Sequence, residues 1–259
     1  MADSLYHLGF GPSDLDEGTS IALLSGDPGR SELIATEHLA DMRVLSRNRG
    51  LDAFAARLPG DKPVLCATSG MGAPSMSIVV NELVQAGITT IIRVGTSGSI
   101  QPEVRVGSVV VGAAAVTNQG AALDIAPPEY PAAADPWLTV TLAQAADELG
   151  IEHHVGVMAS TDTFFEGQER SSSSANPVLL RRLRGLIDEY QALGVLNFEM
   201  EAGTLFKMGL VYRFAAGCVV GIVAQRNEAE EPDLSAKDRA VDNATRVAVA
   251  TADAWSQRS

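Results

Sequence analysis

The chain has 259 residues, of which 46% are hydrophobic and 20% are charged, a composition typical of a globular protein with a large core. Its net charge of −13 argues against binding to nucleic acid or to an anionic membrane, because both need a basic surface. No apolar run reaches the roughly 20 residues of a membrane span, and the N-terminus lacks the pattern of a signal peptide. We therefore expect a cytoplasmic protein that binds neither nucleic acid nor a membrane.

The cysteines and histidines are not spaced as metal ligands. Cys66 and Cys218, the only two cysteines, each lie inside an apolar run, which predicts buried thiols in a reducing compartment. His153 and His154 are adjacent, whereas two histidine ligands on one helix face stand at positions i and i+4. We therefore expect no metal site.

Short apolar strands alternate with helices in the first half of the chain. The first strand, over 21–24, leads into the turn Ser-Gly-Asp-Pro-Gly-Arg at 25–30 and a helix. Free backbone N–H groups at such a helix start can bind an anion, although an ordinary turn between a strand and a helix has the same pattern. Further strands are predicted over 42–46, 53–58, 64–68 and 88–94, with a helix over 74–86.

The alternation continues to the C-terminus. Residues 118–131 are predicted as a loop, and the acidic residues 227–234 as a loop that could close as a lid. Because no repeat or linker interrupts the pattern, residues 1–259 are predicted to form a single α/β domain, with a central mixed, mostly parallel sheet flanked by helices. The remaining strands are predicted over 106–116, 155–159, 195–198 and 215–224, and the helices over 136–149, 177–190, after Glu201 and at the C-terminus.

Polar residues follow several of these strands. In a parallel sheet, the carboxyl ends of the strands share one edge, where ligands bind in such folds. We therefore expect one site to be formed by the segments 26–30, 93–96, 164–170, 199–201 and 225–226.

The segment 163–170 has the chemistry to bind a flat, polar heterocycle. Phe164 offers a ring face for stacking, Gln168 one acceptor and two donors, and Arg170 a rigid fork of donors. This set matches the edge of a pyrimidine, where two carbonyl groups flank an N–H. A solvated, charged turn is the alternative for this segment, and we predict that the neighbouring Phe165 lies in the core.

Over nearly its whole length the chain resembles the hexameric nucleoside phosphorylase family. The glycine-rich turn and the Arg-Val-Gly-Thr motif occur across that family, whereas Gln-Glu-Arg points to its pyrimidine-specific members. The motifs that carry the resemblance are Tyr6-His7-Leu8-Gly9, Gly26-Asp27-Pro28-Gly29-Arg30, Arg93-Val94-Gly95-Thr96-Ser97-Gly98, Ser160-Thr161-Asp162-Thr163-Phe164, Gly167-Gln168-Glu169-Arg170 and Asn197-Phe198-Glu199-Met200-Glu201.

The resemblance implies reversible phosphorolysis of uridine to uracil and ribose 1-phosphate, and it leaves open whether deoxyuridine or thymidine is also a substrate. Its implied catalytic residues are Arg93, Gln168, Arg170 and Glu201. The implied phosphate ligands are Gly26, Arg30, Arg49, Arg93 and Thr96; the ribose ligands are His7, Met200 and Glu201; and the base ligands are Phe164, Gln168, Arg170 and Arg226.

The family also implies a homo-oligomer, a hexamer built as a trimer of dimers, in which His7 and Arg49 reach the site of a neighbouring subunit. Inorganic phosphate is a co-substrate, and no cofactor is implied. Gly50 stands where relatives often carry a glutamate of a monovalent-cation site at the dimer interface, so we do not expect that site here.

Several alternatives stay open at this point. A purine nucleoside phosphorylase or a nucleosidase of the same superfamily would carry an aspartate to protonate the purine, whereas this chain has Gln225-Arg226 there. A non-catalytic nucleoside-binding protein is the third candidate. Structural roles are also open: Arg30 and Arg93 as surface ion-pair partners, Glu201 as a helix-start residue, His7 in a mobile arm, and Met200 in the core.

Overall fold

The computed structural model describes residues 4–226 and 234–258, without the side chains of 234–236. The lid predicted over 227–234 falls, apart from its last residue, outside these ranges. In the described part of the chain, no helix combines the length and the apolar character that crossing a membrane requires.

Nine strands and seven helices make up the described structure. The strands are β1 Ile21–Ser25, β2 Ala40–Ser46, β3 Ala53–Arg57, β4 Pro63–Thr68, β5 Thr90–Ser99, β6 Val109–Thr117, β7 His153–Ser160, β8 Asn197–Glu199 and β9 Ala215–Gln225. The helices are α1 Pro28–Glu37, α2 Ala73–Gln85, α3 Gly120–Ile125, α4 Pro136–Glu148, α5 Leu186–Ala192, α6 Ala202–Tyr212 and α7 Leu234–Ser256, and short 3₁₀ turns lie at Pro12–Asp14 and Arg181–Leu183.

The strands form one mixed sheet in the order β2-β3-β4-β1-β5-β8-β7-β6-β9, and β9 pairs back onto β5 to close a five-stranded ring. Five of the nine pairings are parallel. The predicted α/β fold with a mixed, mostly parallel sheet flanked by helices is therefore confirmed, while the domain limits 1–259 stay a prediction.

Strand β5 is the centre of this sheet because it pairs with three strands. β9 follows one edge of β5 from Thr90 to Ser99. The other edge is divided: β1 pairs in parallel up to Arg93, and β8 pairs antiparallel at Gly98 and Ser99. The carboxyl ends of β1 and β8 therefore face each other across residues 94–97, which leaves a gap along this edge.

Helices cover the sheet on both faces. On one face, α2 and α6 contribute Met76, Val79, Leu83, Leu205 and Phe206 to a core that includes Cys218. On the other face, α1, α4 and α7 contribute Ile34, Leu138, Leu142, Val247 and Ala248 to a core that includes Cys66. Both cysteines are free and fully buried, as predicted.

Four local predictions were wrong. The strand predicted over 88–94 continues to Ser99, so the Arg-Val-Gly-Thr motif lies inside β5. The loop predicted over 118–131 contains α3. The helix predicted over 177–190 is a 3₁₀ turn followed by α5, because Gly185 adopts a φ of +75° and interrupts it. Phe165 is 41% exposed and not in the core; its ring packs edge-on against that of Phe164.

Close packing of α7 on the sheet gives the first prediction. A Cβ atom on Gly221 of β9 would lie 2.2 Å from the backbone oxygen of Ala240 in α7, whereas one on Gly120 of α3 would have no neighbour nearer than 3.9 Å. We expect Gly221→Ala to lower the free energy of unfolding by about 1–3 kcal/mol through overpacking. The control Gly120→Ala should not lower it, because alanine favours a helix more than glycine does. Urea unfolding measures both, and equal stabilities would contradict the packing.

Candidate active site

A cavity of about 590 Å³ opens where the ends of β1 and β8 face each other along β5. The turn after β1, the middle of β5, the segment after β7 and the residues after β8 all contribute to its walls. Four of the five segments that were expected to form one site meet at this cavity, whereas residues 225–226 are not among its walls. The reason given for the meeting was wrong in part. Because β8 runs antiparallel to β5, its carboxyl end meets the middle of β5 rather than the edge where β5 ends.

The turn between β1 and α1 has the form of an anion site. Asp27 is the N-cap of α1 and its Oδ1 accepts a hydrogen bond from the Gly29 N–H at 2.9 Å, and Pro28 takes the first helical position. Gly26 allows a close backbone approach, because a Cβ there would lie 3.3 Å from the Gly70 oxygen. The turn thus brings backbone N–H groups at a helix start to the cavity.

Arg30 lies in this turn without a paired acid among the described residues. Burial lowers the pKa of its guanidinium, and the positive charge of Arg93 lowers it further, against the opposing effect of Asp27. The two arginines therefore repel each other across the cavity. An anion bound between them would relieve this repulsion.

Arg93 is buried and paired with two carboxylates. Its Nε lies 3.4 Å from Glu199 Oε2, and its Nη2 contacts Glu201 Oε2 more closely. Burial lowers the pKa of Arg93, but Glu201 and Glu199 outweigh it, so that the pKa is raised. Arg93 is thus fixed as a cation, and the surface ion pair considered for it is excluded, because it is only 5% exposed.

The two carboxylates are themselves held by backbone groups. Glu199 Oε2 accepts hydrogen bonds from the N–H groups of Glu201 and Ala202 at 2.8 and 2.7 Å, and Oε1 accepts one from Ser160 Oγ. Burial raises the pKa of Glu199, and Glu201 adds to this, while Arg93 lowers it. Glu201 Oε1 accepts from the Gly72 N–H at 2.6 Å. These bonds fix both side chains at the start of α6.

The Gln-Glu-Arg segment forms the opposite end of the cavity. The Arg170 guanidinium lies 4.1 Å from the centre of the Phe164 ring, and its Nε donates to Gln168 Oε1 at 3.4 Å. Gln168 is only 3% exposed, and its backbone oxygen accepts from Arg226 Nη2 at 2.8 Å. Planar donors and acceptors beside an aromatic face are the arrangement that a planar, polar ring requires.

Glu169 anchors this segment from outside the cavity. Its carboxylate accepts hydrogen bonds from the N–H groups of Gly185 and Ile187, at 2.6 and 3.0 Å, at the start of α5. The residue adopts a φ of +55°, in the left-handed region, which turns its side chain away from those of its two neighbours. The middle residue of the motif therefore has a structural role that sequence reasoning did not assign.

The structure brings most of the predicted site residues to one cavity. Gly26, Arg30, Arg93, Thr96, Phe164, Gln168, Arg170, Met200 and Glu201 all line it. Arg226 does not line it but lies behind it, close to Gly98 and bonded to Gln168. His7 and Arg49 are not among its walls.

His7 and Arg49 lie together elsewhere on the surface. Asn48 Nδ2 donates to the backbone oxygens of Tyr6 and His7 at 3.0 and 2.9 Å, and the Arg49 guanidinium is 5.9 Å from the centre of the Tyr6 ring. His7 Nδ1 is 2.6 Å from Glu82 Oε1 at the edge of a second cavity. The N-terminal segment and the loop after β2 thus form one unit.

Sequence reasoning missed three contributors. Glu199 received no role of its own within the predicted segment 199–201, although it is a buried partner of Arg93. Met71, 85% exposed, lines the cavity from the turn before α2. Gln119 lies in the predicted loop and reaches the segment after β8, where its Nε2 donates to the Met200 oxygen at 2.7 Å.

The fold and the cavity define an α/β protein whose site combines a positively charged end, suited to an anion, with a pocket for a flat, polar ring. Within that class, the chain belongs to the phosphorylase superfamily, whose family model matches residues 20–254.

Curated relatives agree with this assignment. The chain is 42% identical to the uridine phosphorylases of Salmonella typhimurium and Escherichia coli, in each case over 249 residues and 96% of both proteins. It is 31% identical to the guanosine phosphorylase of Halorubrum lacusprofundi over 230 residues, which cover 87% of this chain and 88% of the relative.

Glu82 gives a prediction about stability and pH. Burial raises the pKa of its carboxyl, but hydrogen bonds from His7 Nδ1 and the N–H groups of Leu8 and His7 outweigh it, and the pKa is lowered. A carboxyl group whose pKa is lowered by folding stabilises the folded protein at pH values above the ordinary pKa of glutamate, about 4.3. This stabilisation is lost as the pH falls through the pKa of the folded state.

We therefore expect Glu82→Gln to lower the free energy of unfolding by about 1.5–3 kcal/mol at pH 7. The difference from the unsubstituted protein should shrink as the pH is lowered from about 5 to below the folded pKa. Urea unfolding at a series of pH values measures this. The exposed Glu103→Gln is the control, and a Glu82→Gln difference that stays constant with pH would contradict the assignment.

Proposed function

We propose that the protein is a uridine phosphorylase, which converts uridine and inorganic phosphate reversibly to uracil and ribose 1-phosphate. The observation that carries the proposal is the juxtaposition, in one cavity, of Arg30 and Arg93 at one end with Gln168, Arg170 and Phe164 at the other. A nucleoside placed between these ends has its sugar against the anion cradle and its base against the planar donors.

The cationic end of the cavity would bind phosphate. Arg30, with no acid paired to it in the described chain, can donate to phosphate oxygens, as can the backbone N–H groups of the turn at Gly26 and of Thr96. The bound anion lowers the repulsion between the two arginines. Holding phosphate and sugar together in this way can remove up to ~7–11 kcal/mol of the barrier.

Bond cleavage would be assisted at both ends of the scissile bond. As the bond between the sugar carbon and the base nitrogen breaks, its electron pair goes to the base, and a phosphate oxygen forms the new bond to that carbon. Gln168 and Arg170 can donate hydrogen bonds to the pyrimidine as it becomes an anion. The base then takes a proton from solvent. Glu201, fixed by Arg93 and the Gly72 N–H, can accept from the ribose hydroxyls.

The base end of the cavity favours a pyrimidine over a purine. Gln225 Nε2 donates to the backbone oxygens of Gln101 and Pro102, and Arg226 donates to that of Gln168. The acids among the described cavity walls are Asp27, Glu199 and Glu201, which are held by α1, Arg93 and Gly72. Within the described residues, this leaves no acid at the base end to protonate a purine.

The proposal extends to assembly and location. We propose a hexamer, a trimer of dimers, in which His7 and Arg49 enter a neighbour's cavity. Hydrogen bonds from Asn48 hold the segments of His7 and Arg49 together, and this supports the proposal. A subunit that places His7 in its neighbour's cavity would also bring Arg49 there. Phosphate is the co-substrate, and the reaction as proposed needs no cofactor and no monovalent cation. The two buried, free thiols support a cytoplasmic location.

A single assay tests the proposed activity. The purified protein is incubated with uridine, with and without inorganic phosphate, and free uracil is measured. We expect uracil release only with phosphate. Release without phosphate indicates a nucleosidase, and release of base only from guanosine or inosine a purine phosphorylase. If calorimetry shows that a nucleoside binds but no base is released from it, the protein is a nucleoside-binding protein.

Arg30 offers a selective test of the phosphate end. Removing Arg93 would leave two buried carboxylates unpaired and would endanger folding, whereas Arg30 has no such partner among the described residues. We expect Arg30→Gln to raise the KM for phosphate by about 10- to 150-fold, since a charged hydrogen bond contributes ~1.5–3 kcal/mol. The KM for uridine should change little. Arg43→Gln, exposed and paired with Asp16, is the control. An unchanged phosphate KM would remove Arg30 from the site.

A further inference from the structure

Gln119 is a buried polar residue that belongs to no wall of the cavity. It immediately precedes α3, it is 1% exposed, and it lies in a segment whose sequence predicts only a loop. A buried side-chain amide needs partners for its donors and its acceptor. Those partners show what the residue does.

The amide of Gln119 connects two separate parts of the active site. Its Nε2 donates to the backbone oxygens of Met200 at 2.7 Å and Thr161 at 3.3 Å. Its Oε1 accepts from Thr204 Oγ1 at 2.8 Å. Two carbonyl groups can only accept, so they fix which end of the amide faces them.

The two carbonyl groups belong to Thr161 and Met200, and each of these residues is connected to a residue proposed to bind the nucleoside. Thr161 Oγ1 accepts a hydrogen bond from Nε2 of the base residue Gln168 at 3.3 Å. Met200 lines the cavity and is followed by Glu201 at the ribose position. The N–H of Gly120, the next residue, donates to Asp162 Oδ2 at 2.9 Å and so fixes the same segment a second time.

We propose that Gln119 is a positioning residue that sets the spacing between the base segment at Thr161 and the ribose segment at Met200. It does so without contacting substrate, and its amide makes no bond to Gly26 or Arg30 of the anion end. Changing it is therefore expected to alter nucleoside use more than phosphate use. The inference rests on the proposed function, since it concerns the same site.

The chain contains a matched control. Gln101 is also buried, and its Nε2 also donates to two backbone oxygens, those of Gln191 at 3.0 Å and Val195 at 2.8 Å. These bonds hold the connection from α5 to β8 rather than the cavity. Gln101→Met therefore removes the same kind of interaction, two hydrogen bonds from a buried amide to backbone oxygens, at a place that is not part of the site.

The experiment compares Gln119→Met with Gln101→Met by steady-state kinetics and thermal unfolding. We expect Gln119→Met to lower kcat/KM for uridine at least about tenfold, because a small displacement at a reacting centre has a large effect. Its KM for phosphate should stay within about twofold of the unsubstituted protein. Gln101→Met should lower the unfolding temperature comparably but leave both kinetic parameters unchanged. Equal kinetics of the two variants, or a parallel rise in phosphate KM, would overturn the proposal.

A second variant and a second measurement separate this inference from the proposed function. Gln119→Glu keeps the shape and the bond to Thr204 but replaces the donating group, and it should show the same selective loss if Gln119→Met does not fold. Crystal structures of either variant should show the Thr161 and Met200 oxygens farther apart and Gln168 displaced. If the unsubstituted protein does not cleave uridine, the proposed function fails, and the inference about Gln119 is then tested by these crystal structures alone. An undisturbed Gln168 in them would overturn the inference.

Discussion

The divided edge of β5 is the constraint on which the site depends. A strand has two edges, and β9 occupies one of them along the whole of β5. β1 and β8 must share the other edge, and because they run in opposite directions they meet end to end. The residues that follow β1 and those that follow β8 therefore enter the same gap. The anion turn after β1 and the acidic segment after β8 are therefore neighbours, although they are far apart in sequence.

The gap explains how Arg93 can contribute to the cavity although it lies inside strand β5. A buried arginine with two buried carboxylates is costly, because desolvation of three charges opposes their attraction. Because desolvation offsets their attraction, the ion pairs contribute little to the stability of the fold, but they fix Arg93 and Glu201 in one geometry. The chain as a whole carries a net charge of −13, which repels phosphate at long range. Salt screens that repulsion beyond about 8–10 Å, so local arginines suffice to attract the anion.

Local sequence patterns predicted the parts of the site that are formed locally. The glycine-containing turn between the first strand and a helix predicted the anion turn, and the residue types of 163–170 predicted the base end. The burial of Arg93 and its pairing with Glu199 could not be predicted, because they depend on β8 running antiparallel to β5. That direction is set by tertiary packing and leaves no periodicity in the sequence. The same holds for α3, which is too short for a helical pattern to be recognised.

Part of the cavity wall is built from segments outside regular structure, and side chains there supply the hydrogen bonds that join neighbouring strands elsewhere in the sheet. Asn197 Nδ2 donates to Ser97 Oγ at 2.6 Å, and Ser97 Oγ donates to the Phe198 oxygen at 2.8 Å, which holds β8 to β5 beyond their two-residue pairing. Glu169 and Arg226 fix the base segment in the same way. Backbone groups buried in such a junction must find partners. The buried polar residues around the cavity are therefore a consequence of its position between strand ends, and their hydrogen bonds hold its segments in place.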